Sequence, residues 1–112
     1  MRPPRAQSRG LRMGSSRRAG RLIPRREAGL RAAVVVLPGG GVMDWHSTRD
    51  REELLIILHG LVRLETRQPS GRLRSRPLPA GRCVWFPAHV MHRLVNPARQ
   101  PARYIYVTGP TR

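Results

Sequence analysis

Residues 40–60 read GGVMDWHSTRDREELLIILHG: a histidine, a charged loop, then a carboxylate at the mouth of an apolar run. The run from Glu53 to His59 ends at Gly60, and its shortness suits a buried strand better than a helix. A carboxylate opening such a strand is costly to bury unless it is paired or bound to a cation. Upstream, period-two geometry puts His46 and Thr48 on the same strand face. A second stretch, residues 81–96, reads GRCVWFPAHVMHRLVN, and the same alternation groups Val90, His92 and Leu94. His46 and His92 can then both point inward towards Glu53. Two imidazoles and one carboxylate are the donor set typical of non-haem Fe(II), and Mn, Zn, Ni or Co also fit it. The single cysteine, Cys83, excludes an internal disulfide framework and a Cys-based zinc site.

Working outward from these two stretches, short strands separated by turn signals account for residues 32–112. Ala32 to Leu37 is apolar and β-branched and ends at Pro38-Gly39-Gly40-Gly41. Val42 to Thr48 leads into the charged loop Arg49 to Glu52. Leu61 to Glu65 alternates, with Val62 and Leu64 on one face. Gln68 to Gly71 is a turn, and Arg72, Arg74 and Arg76 share one side of the next strand. After the turn Pro79-Ala80-Gly81 come Arg82 to Phe86, His89 to Val95 and Ala102 to Thr108. This pattern, with no helical period, predicts an all-β fold: a small β-barrel or sandwich.

Residues 1–31 differ in composition. They hold ten arginines and one acid, Glu27, for a net +9, whereas residues 32–112 hold twelve arginines and five acids, for a net +7. Without a sustained apolar period, 1–31 reads as a disordered basic arm, and 32–112 as the folded domain. The arm fits a start codon assigned too early, Met13 and Met43 being later starts, and also a targeting peptide or a grip on phosphates. Every basic residue in the chain is arginine, which a GC-rich coding sequence explains as readily as selection for phosphate contact. No aromatic residue interleaves with the arm's charges, so base stacking has no support and nucleic acid ranks last among partners. The apolar runs fall far short of the ~20 residues of a membrane-spanning helix, and a cytoplasmic protein is expected.

The spacings of the two stretches resemble those of the cupin superfamily, whose first motif is G-x5-H-x-H-x4-E-x6-G and whose second is G-x5-P-x-G-x2-H-x3-N. Gly40, His46, Glu53 and Gly60 fall on the first, and Gly81, Pro87, His92 and Asn96 on the second. Thr48 stands in place of the second His, and His89 in place of the second motif's middle Gly. The resemblance implies a small cupin-type jelly-roll β-barrel over 32–112, a divalent metal on His46, Glu53 and His92, and a homodimer paired through its sheets. It implies in turn a small-molecule substrate or ligand, handled either by a metal-dependent enzyme of dioxygenase or isomerase type or by a non-catalytic sensor domain. The missing second His could open a coordination position for water, substrate or dioxygen, or mark a site that has lost its metal.

Blander readings stand beside each residue. A lone histidine in a small barrel is more often a hydrogen-bonded core residue than a ligand, and only the joint spacing of three donors shifts the balance. Thr48, Val90, Tyr104 and Tyr106 are candidate pocket residues, with packing at the barrel seam the other reading for the tyrosines. His59 is a strand-end residue, and Glu52 is expected to be solvated. Asn96 and Pro87 shape turns. Trp45 and Trp85 are expected in the core, and Cys83 as an inert buried thiol.

Overall fold

A computed structural model describes residues 11, 13–24 and 29–111. The strands are β1 (Gly20–Arg21), β2 (Arg31–Leu37), β3 (Val42–His46), β4 (Arg51–His59), β5 (Leu61–Arg67), β6 (Leu73–Pro79), β7 (Cys83–Phe86), β8 (His92–Val95) and β9 (Ala102–Pro110). Among the described residues there is no helix, and so none long and apolar enough to cross a membrane. All pairings are antiparallel, in a five-stranded sheet ordered β1-β2-β9-β4-β7 and a four-stranded sheet ordered β3-β8-β5-β6.

The two ladders do not join into one ring, so the expected barrel is a sandwich of two sheets. Side chains, and no shared ladder, hold the sheets together. Leu37, Leu55, Ile57, Phe86 and Tyr104 come from one sheet and Val62, Leu64, Leu78 and Leu94 from the other, forming one buried cluster. Each such aliphatic side chain contributes about 1.5–3 kcal/mol on burial. Alternation decides which residues reach it. In β4, Glu53, Leu55 and Ile57 are buried, while Glu52, Leu54 and Ile56 face outward and are only partly covered.

Three expectations are corrected, two of them by the same alternation. In β7, Val84 and Phe86 turn inward, which leaves Cys83 and Trp85 on the outer face of an edge strand. Cys83 is therefore exposed and Trp85 is 58% exposed, its indole N–H donating to Glu52 Oε1 at 2.7 Å. Trp45 is half-buried, with the guanidinium groups of Arg67 and Arg93 standing 4.7 and 5.1 Å from its ring centroid.

Two strands are shorter than their apolar patterns suggest. β3 stops at His46 and β8 begins at His92, and the segments beyond them turn through Arg49 (φ 60°) and His89 (φ 67°), both in left-handed backbone. Their loops are tied together, the His89 N–H donating to the Arg49 carbonyl at 2.7 Å. At the N-terminal side, Gly20–Arg21 pair with Val34 and Ala33, so this part of the basic segment is a strand. Two rungs of ladder leave no trace in composition or periodicity. Residues 1–10, 12 and 25–28 of the expected disordered arm lie outside the described residues.

Candidate metal centre

Three strands bring His46, Glu53 and His92 together. Glu53 lies opposite Thr108 of β9 and Phe86 of β7, which fixes it on the inner face of the five-stranded sheet. His92 opens β8 in the facing sheet, and its ring stacks on Phe86 with centroids 4.2 Å apart. His46 arrives by a β-bulge: Met43 pairs with Leu94 and His46 with His92, so Asp44 and Trp45 oppose the single residue Arg93. Without that extra residue Trp45 would face His92. The bulge re-aims the strand by one position and turns His46, not Trp45, into the sandwich.

One donor atom from each of the three side chains lies within 4.8 Å of the other two. Donors sharing one ion at bond lengths near 2.1 Å stand roughly 3–4 Å apart, so the cluster needs little adjustment to close on one. The tautomers follow from the partners. His46 Nδ1 is 2.8 Å from the Asp44 carbonyl and His92 Nδ1 is 3.0 Å from the Val90 carbonyl. A carbonyl can only accept, so each Nδ1 carries a proton and each Nε2 is left with a free lone pair. This backbone-anchored arrangement is the one that orients metal-binding imidazoles.

A contradiction results at the centre. Glu53 Oε1 is 3.0 Å from His92 Nε2, yet it is buried without a hydrogen-bond donor. Glu53 and His92 are 5% and 1% exposed, so the pair is largely shielded from bulk solvent. Two lone pairs facing one another in the interior need either a second proton on His92 or a cation. His46 supplies a third donor atom at the same point, and three donors converging fit a cation.

A cavity of about 290 Å³ adjoins the cluster. It is lined by all three residues and by Thr48, Tyr104 and Tyr106, together with Thr108 and an apolar set that includes Met43 and Leu94. Thr108 was legible by extending the β9 alternation of Tyr104 and Tyr106 by one step, whereas Met43 enters only through the bulge. Val90 is not among these lining residues. It precedes β8, packs against the core, and contributes its carbonyl to His92. The Thr48 hydroxyl donates to the Arg51 carbonyl, so it braces the β3–β4 loop. Burial, then the Glu53 carboxylate, then Tyr106 push the Tyr104 phenol well above its ordinary value, so the wall beside the cluster stays neutral.

The motif positions that hold no donor are structural. Gly60 has φ 82°, and a Cβ there would lie 3.1 Å from the Ala102 Cα, so the β4–β5 hairpin requires glycine. His89, where the motif has glycine, keeps the left-handed backbone (φ 67°) that glycine adopts freely. Its place in that turn explains why it does not join the cluster.

A two-sheet antiparallel sandwich whose buried Glu53 and His92 meet the half-buried His46 defines a class of small β-proteins with a candidate metal site. Residues 33–108 match the family description "Cupin domain", and the chain belongs to that family. No curated protein matches. Among solved structures, the chain is similar to oxalate oxidase (21% identity, TM-score 0.68), covering 73% of this chain and 42% of that one. It is similar to the Cnp3 cupin domain of Schizosaccharomyces pombe (15%, TM-score 0.72), covering 82% and 63%. It is also similar to oxalate decarboxylase of Bacillus subtilis (18%, TM-score 0.67), covering 74% and 22%. The chain thus spans less than two thirds of each of these proteins, and likeness at such identities speaks for the fold alone.

Proposed function

We propose that this cupin holds one divalent ion, of the group Fe, Mn, Zn, Ni and Co, on His46, Glu53 and His92, and acts as a metal-dependent enzyme of dioxygenase or isomerase type on a small organic molecule. The observation that carries the reading is the buried, donorless Glu53 Oε1 facing a lone pair of His92. When bound, the ion supplies Lewis-acid or redox chemistry. The chain's own residues do the rest. The Asp44 and Val90 carbonyls hold the imidazole tautomers, Phe86 fixes the His92 ring plane, and Tyr104 and Tyr106 shape the room for substrate. Thr48, standing where the motif has a second His, leaves three protein donors, which suits a site that keeps positions for substrate.

The second part of the reading is a homodimer. Val36, Leu54, Ile56 and Ile105 lie on the outward side of the five-stranded sheet next to exposed Trp85, an apolar face that a second copy would cover. The test loads the full chain with each metal, measures stoichiometry by elemental analysis, and determines mass by light scattering. One ion per chain, lost in His46→Ala and in His92→Ala, supports the site; no ion under any loading condition overturns it and leaves a metal-free binding or sensor domain. Oxygen uptake by the Fe(II)-loaded chain with candidate substrates then addresses catalysis.

A further inference from the structure

A strongly charged cavity of about 500 Å³ lies beside the metal pocket, lined by Arg21, Arg31, Arg49 and Arg51 along with Ser47, Thr48, Tyr106 and Thr108. Thr48, Tyr106 and Thr108 line both cavities, so the two share a wall. No carboxylate among the described residues lines the larger one. Arg51 is spent on structure, its guanidinium donating to Thr108 Oγ1, the Thr108 carbonyl and the Gly29 carbonyl. Arg21, Arg31 and Arg49 form no ion pair with any described acid.

Their placement is set by backbone. Arg31 pairs with Thr108, and Thr108 pairs with Glu53, so the arginine and the carboxylate share one row across β2, β9 and β4. Arg21 pairs with Ala33, which pairs with Tyr106, so it lies on the same inner face one row along. Arg49 is held in left-handed backbone that costs a bulky residue of order 1–3 kcal/mol. That conformation is fixed from outside the loop by the His89 N–H and from inside it by the Ser47 hydroxyl, which accepts the Arg49 N–H at 3.2 Å. Like charges gathered in a walled concavity raise the local potential and concentrate anions. Guanidinium forks match carboxylate or phosphate oxygens two at a time.

We infer that this cavity is an anion-binding vestibule. It seats the acidic group of a small organic anion on Arg21, Arg31 and Arg49 and leads the rest of the molecule past Thr48 and Thr108 to the metal pocket. Arg31 and Glu53 stand two strand spacings apart, about 10 Å, so the acid and the reacting group are separated by several bonds. The vestibule does not depend on a metal, but its role as an entrance rests on the function proposed above.

Calorimetry on the full chain at fixed ionic strength tests it, with inorganic phosphate as the probe of the metal-free protein. Phosphate affinity should fall roughly ten-fold or more in Arg31→Gln/Arg49→Gln and stay within about two-fold in Arg74→Gln/Arg76→Gln, which removes the same charge from exposed β6. Equal losses in the two variants, or none in the first, overturn the vestibule and leave general attraction to a chain of net charge +16. With zinc bound, a series of straight-chain dicarboxylates from malonate to suberate should bind more tightly as length grows, with a zinc-dependent gain absent in His92→Ala. A gain largest for malonate overturns the entrance role. No zinc-dependent gain with phosphate binding intact overturns the metal reading alone.

Discussion

A buried polar side chain stands at each end of β8, and the two are handled in opposite ways. His92 at its start and Asn96 just beyond its end are each 1% exposed. Asn96 is saturated: its Nδ2 donates to the carbonyls of Leu37, Pro38 and Gln100, and its Oδ1 accepts the Ala98 N–H. Its backbone exchanges two further bonds with Gly40 and Gly41, tying the β2–β3 turn to the β8–β9 turn. Around His92 the pattern is reversed, since Nδ1 is fixed by Val90 while Nε2 and the nearby Glu53 oxygen lack a donor. A polar group with every valence met is there to hold the fold. One held in place but left open is what the proposed metal centre requires.

Asn96→Ala is the hardest blow to that contrast. It strands several carbonyls at once and should cost about 3 kcal/mol in chemical denaturation while leaving metal stoichiometry at the folded-state value. A loss of metal without a loss of stability would reverse the assignment. Glu53→Gln works the other way: it should abolish metal uptake yet stabilise the metal-free protein by about 1–2 kcal/mol, because a buried charge with no donor disappears. Destabilisation of the metal-free form would mean Glu53 is paired to a protonated His92.

Tyr104 sharpens the same comparison through pH. Its phenol is raised in the folded state, so the folded chain keeps a proton that the unfolded chain releases. The stabilisation is complete below about pH 10 and drains at up to about 1.4 kcal/mol per pH unit above it. In an alkaline titration followed at the tyrosinate absorbance, one of the two tyrosines should ionise only as the protein unfolds. The smallest effect belongs to His89→Gly. Relief of left-handed strain, offset by the extra freedom of glycine in the unfolded chain, should yield a gain below about 1 kcal/mol. Metal binding should be unchanged, since the bond to Arg49 comes from the backbone.

The part of the site legible in the sequence was the part set by strand spacing. Glu53, His92 and Gly60 sit where period two and turn chemistry put them, and the β5–β6 hairpin closes at Gln68–Gly71 as its residues dictate. His46 reached the centre for a reason simple alternation misses, since the bulge shifts its parity relative to Met43. Cys83 and Trp85 fall outside the core because alternation outranks apolar character. On an edge strand whose inner positions are already Val84 and Phe86, the outer ones have nowhere to be buried. The arginine cavity was invisible for a different reason: composition counts charges, and only the folded chain shows that residues 21, 31 and 49 line one cavity.

The two-residue strand β1 has a consequence out of proportion to its length. It lies on the open side of β2, whose Ala-Ala-Val-Val-Val core would otherwise present bare amide and carbonyl groups to any passing chain. Trimming the chain to begin after Arg21 would remove that guard, and the shortened protein should seed fibrils on storage while the intact one stays clear.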